Sequence, residues 1–404
     1  MNSGNEEHSL EEYMTLDRRS SWGMAPATCV GATHCTRANA CRRALAFAAS
    51  AALAALPAVA EAHVKWFVKY NLFVPPRPIE RVVTSEYFVR VGLAVIVLMF
   101  VVAAADRFLC ERNFALQRQM RELSARVAPW FPLGLRLGVA AFFLATFAFG
   151  CVGDTMILTP ELHSPRPWVC WLQLALAALA LTRWTAPLTG LGIVFLYFYG
   201  VAGYGLYHML DYPIFLGVAA YLIIDGWYAA RYNALAHDVV RISAGVTLLW
   251  ASIEKWAFPE WSFMLLAQRP GMAFGFNPEF YMVAAGFVEF CTAWLLITGL
   301  LSARAAALVL LVMFVSAIIP FGSIDAVGHL VIILVLVMLI FGNNPVGMRL
   351  RVRGRPLATA AGHATAFTGA LALFIALYYG GYYLSYGAAL ARHQGEPART
   401  ASVR

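Results

Sequence analysis

Charged residues are scarce in this sequence, and their scarcity excludes most classes of soluble protein. Only 13% of the 404 residues are Asp, Glu, Lys or Arg, whereas 61% are hydrophobic; soluble domains carry about 25% charged residues. The apolar residues form blocks of roughly 20 residues, the length at which a helix crosses a bilayer. The net charge of +8 lies in short loops and not in a basic patch with aromatics, which excludes a nucleic-acid partner. The composition predicts an all-α polytopic transmembrane helical bundle with the lipid bilayer as partner.

Motifs that mark common enzyme chemistry are also absent. The sequence holds no Walker loop, no dinucleotide fingerprint and no nucleophile elbow. Its seven cysteines include no C-x-x-C pair and no zinc-finger spacing. Cys151 and Cys170 are expected near one membrane face, which leaves a disulfide between them open, although small apolar packing is the simpler interpretation. Whether the chain is an enzyme stays undecided at this point.

The first 62 residues carry two distinct patterns. Residues 1–41 are polar and unlike the rest, and form an N-terminal extension for which an internal methionine is an alternative start. Residues 42–62 begin with two arginines, continue as an apolar run and end in Ala-Glu-Ala, which fits a cleavable signal peptide. An uncleaved first anchor is the alternative. Cleavage would make His63 the first residue of an extracytoplasmic segment, 63–85.

The apolar blocks after this segment predict about ten spans. Arginines concentrate in alternate loops, among them 106–132 and 343–364, whereas the opposite loops hold most acids and histidines. The positive-inside rule therefore places the arginine-rich loops in the cytoplasm and the mature N-terminus outside. The predicted spans lie near residues 86–109, 133–153, 167–185, 189–208, 211–228, 239–258, 280–301, 303–320, 325–342 and 366–388.

A weak internal repeat groups most spans into two related four-helix units. Asp211 and Asp325 each lead an apolar block that ends in glycine, and an arginine-marked helix opens both units. The first unit covers 86–230 with an inserted span, the second covers 238–345, and a C-terminal span and tail cover 365–404. Chance similarity is the alternative. The second unit carries more ionisable residues, so we expect any chemistry there.

Four ionisable residues of the second unit form the candidate catalytic set. Glu289 lies mid-span, where an acid costs roughly 2.5–3.5 kcal/mol on insertion scales. Asp325 and His329 are one turn apart on one helix face, and Glu254 is expected near the outer end of its span. Together they predict a polar funnel from the outer face, covered by the interfacial connection 259–279. Such a set can relay protons, hold a cation or hydrogen-bond a quinone carbonyl.

Each of these residues also has a structural interpretation. His329 alone would be a bundle histidine with satisfied hydrogen bonds. Glu254 and the lysine that follows it would lie at the membrane interface as a pair. Asp325 would cap the N-terminus of its helix. Glu289 would form a buried pair with His329 or Arg304.

Copper binding is the second functional interpretation. A free α-amino group and imidazole on His63 would chelate copper together, in the manner of a histidine brace. His208 and Asp211 form H-x-x-D on the expected outer face and are the further candidate ligands. This pattern predicts a non-enzymatic copper-handling membrane protein. A third interpretation is a membrane scaffold for a partner enzyme.

Three short motifs within residues 238–345 point to a known family. They are Arg241-Ile242-Ser243-Ala244-Gly245, then Glu254-Lys255-Trp256, and Ala284-Ala285-Gly286-Phe287-Val288-Glu289 followed by Gly299. On these motifs the second unit resembles the DoxX family of small four-helix bacterial inner-membrane proteins. Some relatives are described as quinone-linked oxidoreductase subunits acting on thiosulfate, whereas this chain is longer and doubled.

The resemblance implies a redox-associated role for the second unit. A quinone or small molecule would bind in its pocket, with Glu289 and His329 as proton partners. Arg241 and Trp256 would contact this cofactor. A membrane redox protein is the partner that such a role implies.

Overall fold

The computed structural model describes residues 64–68, 70–71, 74–111, 115–153, 155–299, 301–342 and 356–395. The predicted extension, the predicted signal sequence and His63 lie outside the described residues. The described residues all belong to one unit, 57–404. Within them the chain is helical apart from one two-stranded hairpin, so the predicted all-α class is confirmed.

Thirteen α-helices and three short 3₁₀ turns form the described part of the chain. The turns are Val64–Trp66, Ala128–Trp130 and Pro270–Ala273. In the hairpin, β1 (Thr155–Met156) pairs antiparallel with β2 (His163–Ser164). The helices are α1 Ile79–Val83, α2 Glu86–Glu111, α3 Ala115–Val127, α4 Phe131–Val152, α5 Pro167–Ala180, α6 Ala186–Tyr204, α7 Leu206–Met209, α8 Pro213–Ala257, α9 Pro259–Gln268, α10 Pro278–Thr298, α11 Leu301–Phe321, α12 Ser323–Phe341 and α13 Pro356–Gly395.

The long apolar helices agree with the predicted transmembrane architecture. Eight helical segments of the described chain are long and apolar enough to cross a membrane, and residues 167–180 and 213–228 form two shorter apolar helices. Large apolar side chains face outward on these segments, among them Leu93 at 62%, Ile319 at 87% and Leu384 at 90% exposure. Contact of such an apolar surface with water is unfavourable, whereas lipid acyl chains can cover it without a free-energy penalty.

Helix α8 contains two of the predicted spans. Its backbone leaves helical geometry at Tyr232 (φ −128°, ψ 21°), where the chain reverses direction. The two arms lie side by side, because the Ile214 amide donates a hydrogen bond of 2.9 Å to Thr247 Oγ1. Both ends of α8 therefore lie at one end of the bundle, which positions Asp211 and Glu254 near each other.

The segment 106–132 differs from the predicted loop. It contains the end of α2 and all of α3, and α3 packs against α12. Arginines and apolar residues alternate with helical period there, so α3 is amphipathic and its mean hydropathy is too low to mark a span.

Packing crosses the boundary between the two predicted units. Helix α2 of the first unit packs against α10 and α13, and the predicted inserted span α4 packs against α12. Helices α8 and α10 approach closely at two glycines. A Cβ on Gly245 would lie 2.4 Å from Ile297, and one on Gly286 would lie 2.3 Å from Trp256. Small residues of this kind let helix backbones approach within a membrane.

Candidate functional site

A cavity of about 60 Å³ lies between the two ends of α8, the N-terminal segment, α9, α10, α11 and α12. Glu254, Glu289, His329 and Asp211 all line it. The structure therefore brings three of the four predicted catalytic residues, and one predicted metal ligand, to one place. Because a water needs about 10–15 Å³ of such space, the cavity has room for about four to six waters.

Lys65 joins the N-terminal segment to this site. Its Nζ donates to Asp211 Oδ2 at 2.5 Å and lies 2.5 Å from Glu254 Oε2. The side chain of Lys65 is 3% exposed and that of Asp211 is 2% exposed. The Nζ also lies 5.7 Å from the ring centres of Tyr70 and Trp261, a cation–π distance. The carboxylates offset the cost of removing the charged lysine from water.

A second polar cluster, formed by Glu161, His208 and Tyr212, adjoins Lys65. Glu161 lies on the connection between β1 and β2, and its Oε1 is 2.8 Å from His208 Nε2. The Tyr212 hydroxyl donates to the same oxygen. Tyr70 OH lies 3.5 Å from His208 Nε2, which links the cluster to the N-terminal segment. Helix α7 is one turn long and orients His208 towards this cluster.

The electrostatics of Lys65 and Asp211 follow from this crowding. Burial by itself lowers the pKa of Lys65, but Asp211, Glu254 and Glu161 raise it, and its net pKa lies well above the ordinary lysine value. Lys65 is therefore charged. Burial raises the pKa of Asp211, even though Lys65 lowers it. One lysine cannot neutralise several buried carboxylates, so the pKa of Asp211 stays above its ordinary value.

Lys255 and Glu289 form a second, partly buried pair on the cavity wall. Lys255 Nζ donates to Glu289 Oε2 at 2.6 Å, with side-chain exposures of 18% and 9%. The expected pairing of Glu289 with His329 or Arg304 is therefore wrong; Arg304 instead donates to the Gly342 carbonyl. The expected interfacial pair of Glu254 with the lysine after it is also wrong, because successive helix residues point in different directions.

Asp325 and His329 meet as their i,i+4 spacing predicts. His329 Nδ1 lies 3.1 Å from Asp325 Oδ1, and the side chains are 4% and 0% exposed. Asp325 makes no capping hydrogen bond, so its predicted role as an N-cap is wrong: Gly322 occupies that position, and Asp325 lies in the first turn of α12. A negative charge there still interacts favourably with the helix dipole.

Aromatic rings hold His329 from two sides. The ring centre of Trp66 lies 4.6 Å from that of His329, and Phe314 lies 4.7 Å away. Gly328 makes the approach of Trp66 feasible, because a Cβ at this position would lie 2.2 Å from the indole. The N-terminal segment thus contributes a wall of the cavity as well as the cation.

The predicted cofactor contacts lie away from this cavity. The Arg241 guanidinium is buried at the other end of its helical arm, and donates to the Leu296 carbonyl at 3.1 Å. Trp256 Nε1 donates to the Val283 carbonyl at 3.2 Å, and its ring packs against Phe88. Both side chains hold helices together, and neither lines the cavity.

The predicted copper ligands do not form a ligand set among the described residues. His208 contacts Glu161, and Asp211 contacts Lys65. Within the described part of the chain, no group of three or more His, Cys, Asp or Glu side chains is arranged to hold a metal ion. Because His63 lies outside that part, the copper hypothesis stays a prediction for elemental analysis to test.

Comparisons with known proteins leave the family open. No protein-family model, no curated protein and no solved structure matches this chain. The resemblance of 238–345 to the DoxX family stays a prediction that rests on the motifs quoted above.

Sequence reasoning missed three members of the site: Lys65, Trp66 and Glu161. The first two follow directly after the predicted cleavage position, in His-Val-Lys-Trp-Phe. A lysine between aromatic and apolar residues, at the start of the segment that precedes the first span, was a usable signal. Glu161 was an acid in a loop, and nothing in its surroundings distinguished it from a solvated residue.

Proposed function

We propose that this chain is an inner-membrane protein whose cavity binds a quinone, or a carbonyl compound of similar size, and exchanges protons with it. One observation carries the proposal. Glu254, Glu289 and His329 reach one cavity from three different helical segments, and each can gain or lose a proton. Reduction of a quinone to a quinol takes up two electrons and two protons, so a site for it needs such groups at both carbonyls.

The walls of the cavity suit a flat, polar ring. Lys255 and His329 supply hydrogen-bond donors that can reach a carbonyl oxygen. Trp66, Trp261 and Phe314 supply apolar and aromatic surface, which a ring covers favourably. Space for about four to six waters corresponds to one small ring, so the head group would enter and an isoprenoid tail would stay among the lipids.

The charge network supports proton exchange with this head group. Lys65 remains charged and holds Asp211 and Glu254 in place. Since carboxylates outnumber lysines around the cavity, we propose that this network takes up and releases protons. A bound quinone would draw on those protons, and the chain would depend on a membrane redox protein for electrons.

We propose that this site lies at the outer face. We propose ten spans, with the arginine-rich loops in the cytoplasm and the mature N-terminus outside. Lys65 and Trp66 then lie on the outer side, just after a cleaved signal peptide. A lipid-soluble ligand would enter laterally, and its protons would exchange with the outer aqueous phase.

Quinone titration of the purified protein tests this proposal. The protein in lipid nanodiscs is titrated with a short-chain ubiquinone analogue, and quenching of tryptophan fluorescence is followed. We expect saturable quenching, because two tryptophans line the cavity. His329→Gln removes the imidazole that would hydrogen-bond the carbonyl and should weaken binding by about tenfold or more, which corresponds to a lost hydrogen bond of about 1.5 kcal/mol.

His237→Gln is the matched control. His237 also packs against aromatic rings, Phe131 and Tyr221, but does not line the cavity, and its variant should bind like the wild type. The proposal fails if the folded wild type shows no saturable binding, or if the His329 and His237 variants bind equally.

A further inference from the structure

Two cysteines meet at the ends of neighbouring helices, outside the cavity. Cys151 lies in the last turn of α4 and Cys170 in the first turns of α5. Their sulfur atoms are 3.7 Å apart. Both are free thiols; Cys151 is exposed, whereas Cys170 is buried. The proposed quinone site uses neither residue.

We propose that Cys151 and Cys170 form a reversible dithiol–disulfide pair. The exposed Cys151 thiolate attacks a disulfide of an external thiol–disulfide oxidant and forms a mixed disulfide, releasing one thiol. Cys170 then attacks the Cys151 sulfur, forms the internal disulfide and releases the second thiol. The protein loses two electrons and two protons, and the oxidant gains them.

The local geometry permits this bond. Disulfide sulfurs are separated by about 2.05 Å, so the two atoms must approach by less than about 2 Å. Cys151 can make this movement because α4 ends one residue later, at Val152, and its side chain is exposed. Cys170 stays in place, with its sulfur 3.6 Å from the Phe147 carbonyl.

The bond would close a loop that carries part of the buried network. Cys151 and Cys170 are 19 positions apart, and the loop between them contains β1, β2 and Glu161. Glu161 is the residue that holds His208 and Tyr212. The disulfide would therefore tie down the segment that presents Glu161. The predicted topology places this loop outside the cytoplasm, where thiol oxidants act.

Peptide mapping of the full-length protein tests the pair. Membranes are reduced, exposed to oxidised glutathione, treated with an alkylating reagent and digested with trypsin and a Glu-specific protease. Cleavage after Glu161 puts Cys151 and Cys170 in separate peptides. We expect these peptides to appear joined, with a mass two hydrogens below their sum, and to separate on reduction. Cys291, which is buried in α10, should remain a thiol and serves as the internal control.

Two results would overturn the proposal. One is alkylation of both cysteines in the folded wild type after oxidation. The other is a Cys170 peptide joined to a different cysteine, in the wild type or in Cys151→Ser. The disulfide can form whether or not a quinone binds. Peptide mapping tests the disulfide, and quinone titration of the oxidised and reduced protein tests binding, so failure of one proposal is distinguishable from failure of the other.

Discussion

Replacement of Lys65 by methionine removes the cation from the centre of the buried network. Methionine keeps most of the side-chain volume but cannot neutralise Asp211 or Glu254, each 2.5 Å from Lys65 Nζ. Breaking a buried ion pair on one side costs about 3–5 kcal/mol, because the remaining charge is left in a medium of low dielectric. We therefore expect Lys65→Met to lower the free energy of unfolding by about that amount.

A second substitution separates the charge effect from a packing effect. Asp211→Asn in the Lys65→Met background removes one of the two uncompensated carboxylates. The double variant should recover about 1–3 kcal/mol of unfolding free energy, whereas a packing defect would not be repaired. Both values come from equilibrium unfolding in detergent micelles followed by far-UV circular dichroism.

Arg90→Met is the matched control for loss of a cation. Arg90 pairs with Glu86 on the surface, and its side chain is 74% exposed, so the change should stay within about 0.5 kcal/mol. The reasoning is refuted if Lys65→Met is as stable as this control, or if Asp211→Asn destabilises both backgrounds equally.

The dependence of this effect on pH has a defined sign. The pKa of Lys65 is raised in the folded state, so its contribution is fully present below the ordinary value of 10.5 and is lost as the pH rises through the folded pKa. The pKa of Asp211 is raised as well, chiefly by burial, and loss of the lysine raises it further because the strongest opposing influence is removed. The stability deficit of Lys65→Met should thus shrink above about pH 10.5, and also towards acid pH, where the carboxyl takes up a proton. Free energies of unfolding measured at pH 5, 8 and 11 check the expected decrease at acid and at alkaline pH.

Two further substitutions test the cavity wall. Glu289→Gln removes the carboxylate charge 2.6 Å from Lys255 Nζ and should cost about 1–3 kcal/mol of unfolding free energy, together with weaker binding of the quinone analogue. Gly328→Ala introduces a methyl group 2.2 Å from the Trp66 ring, so the ring must move and the titration should show weaker binding. Gly362→Ala, where nothing lies within 4 Å of the new Cβ, is its control and should bind like the wild type.

Local sequence patterns predicted the helices and the local pairs. Blocks of apolar residues predicted spans that agree with the helices, because the hydropathy of a span depends only on the residues within it. The spacing of Asp325 and His329 predicted their contact, since residues at i and i+4 share a helix face. The sequence also predicted two separate spans on either side of Tyr232, where the chain of α8 reverses direction.

Partners distant in the sequence were not predictable in the same way. Lys65 meets Asp211 across 146 positions, and Lys255 meets Glu289 across 34. Such pairs depend on how helices rotate and pack, which a single sequence does not encode in any periodic pattern. The carboxylates were recognised because acids are costly in a membrane, whereas the lysine that holds two of them was overlooked because it lies outside the predicted spans.

Photoaffinity labelling tests the central claim most directly. The protein in nanodiscs is illuminated with an azido-quinone, digested and mapped by mass spectrometry, with excess unlabelled quinone as competitor. The account predicts competed labelling on the cavity walls, at Trp66, Trp261 or the segment from Gly328 to Ile332. Labelling confined to lipid-facing side chains such as Leu93 or Leu384, or labelling that excess quinone does not reduce, would contradict it.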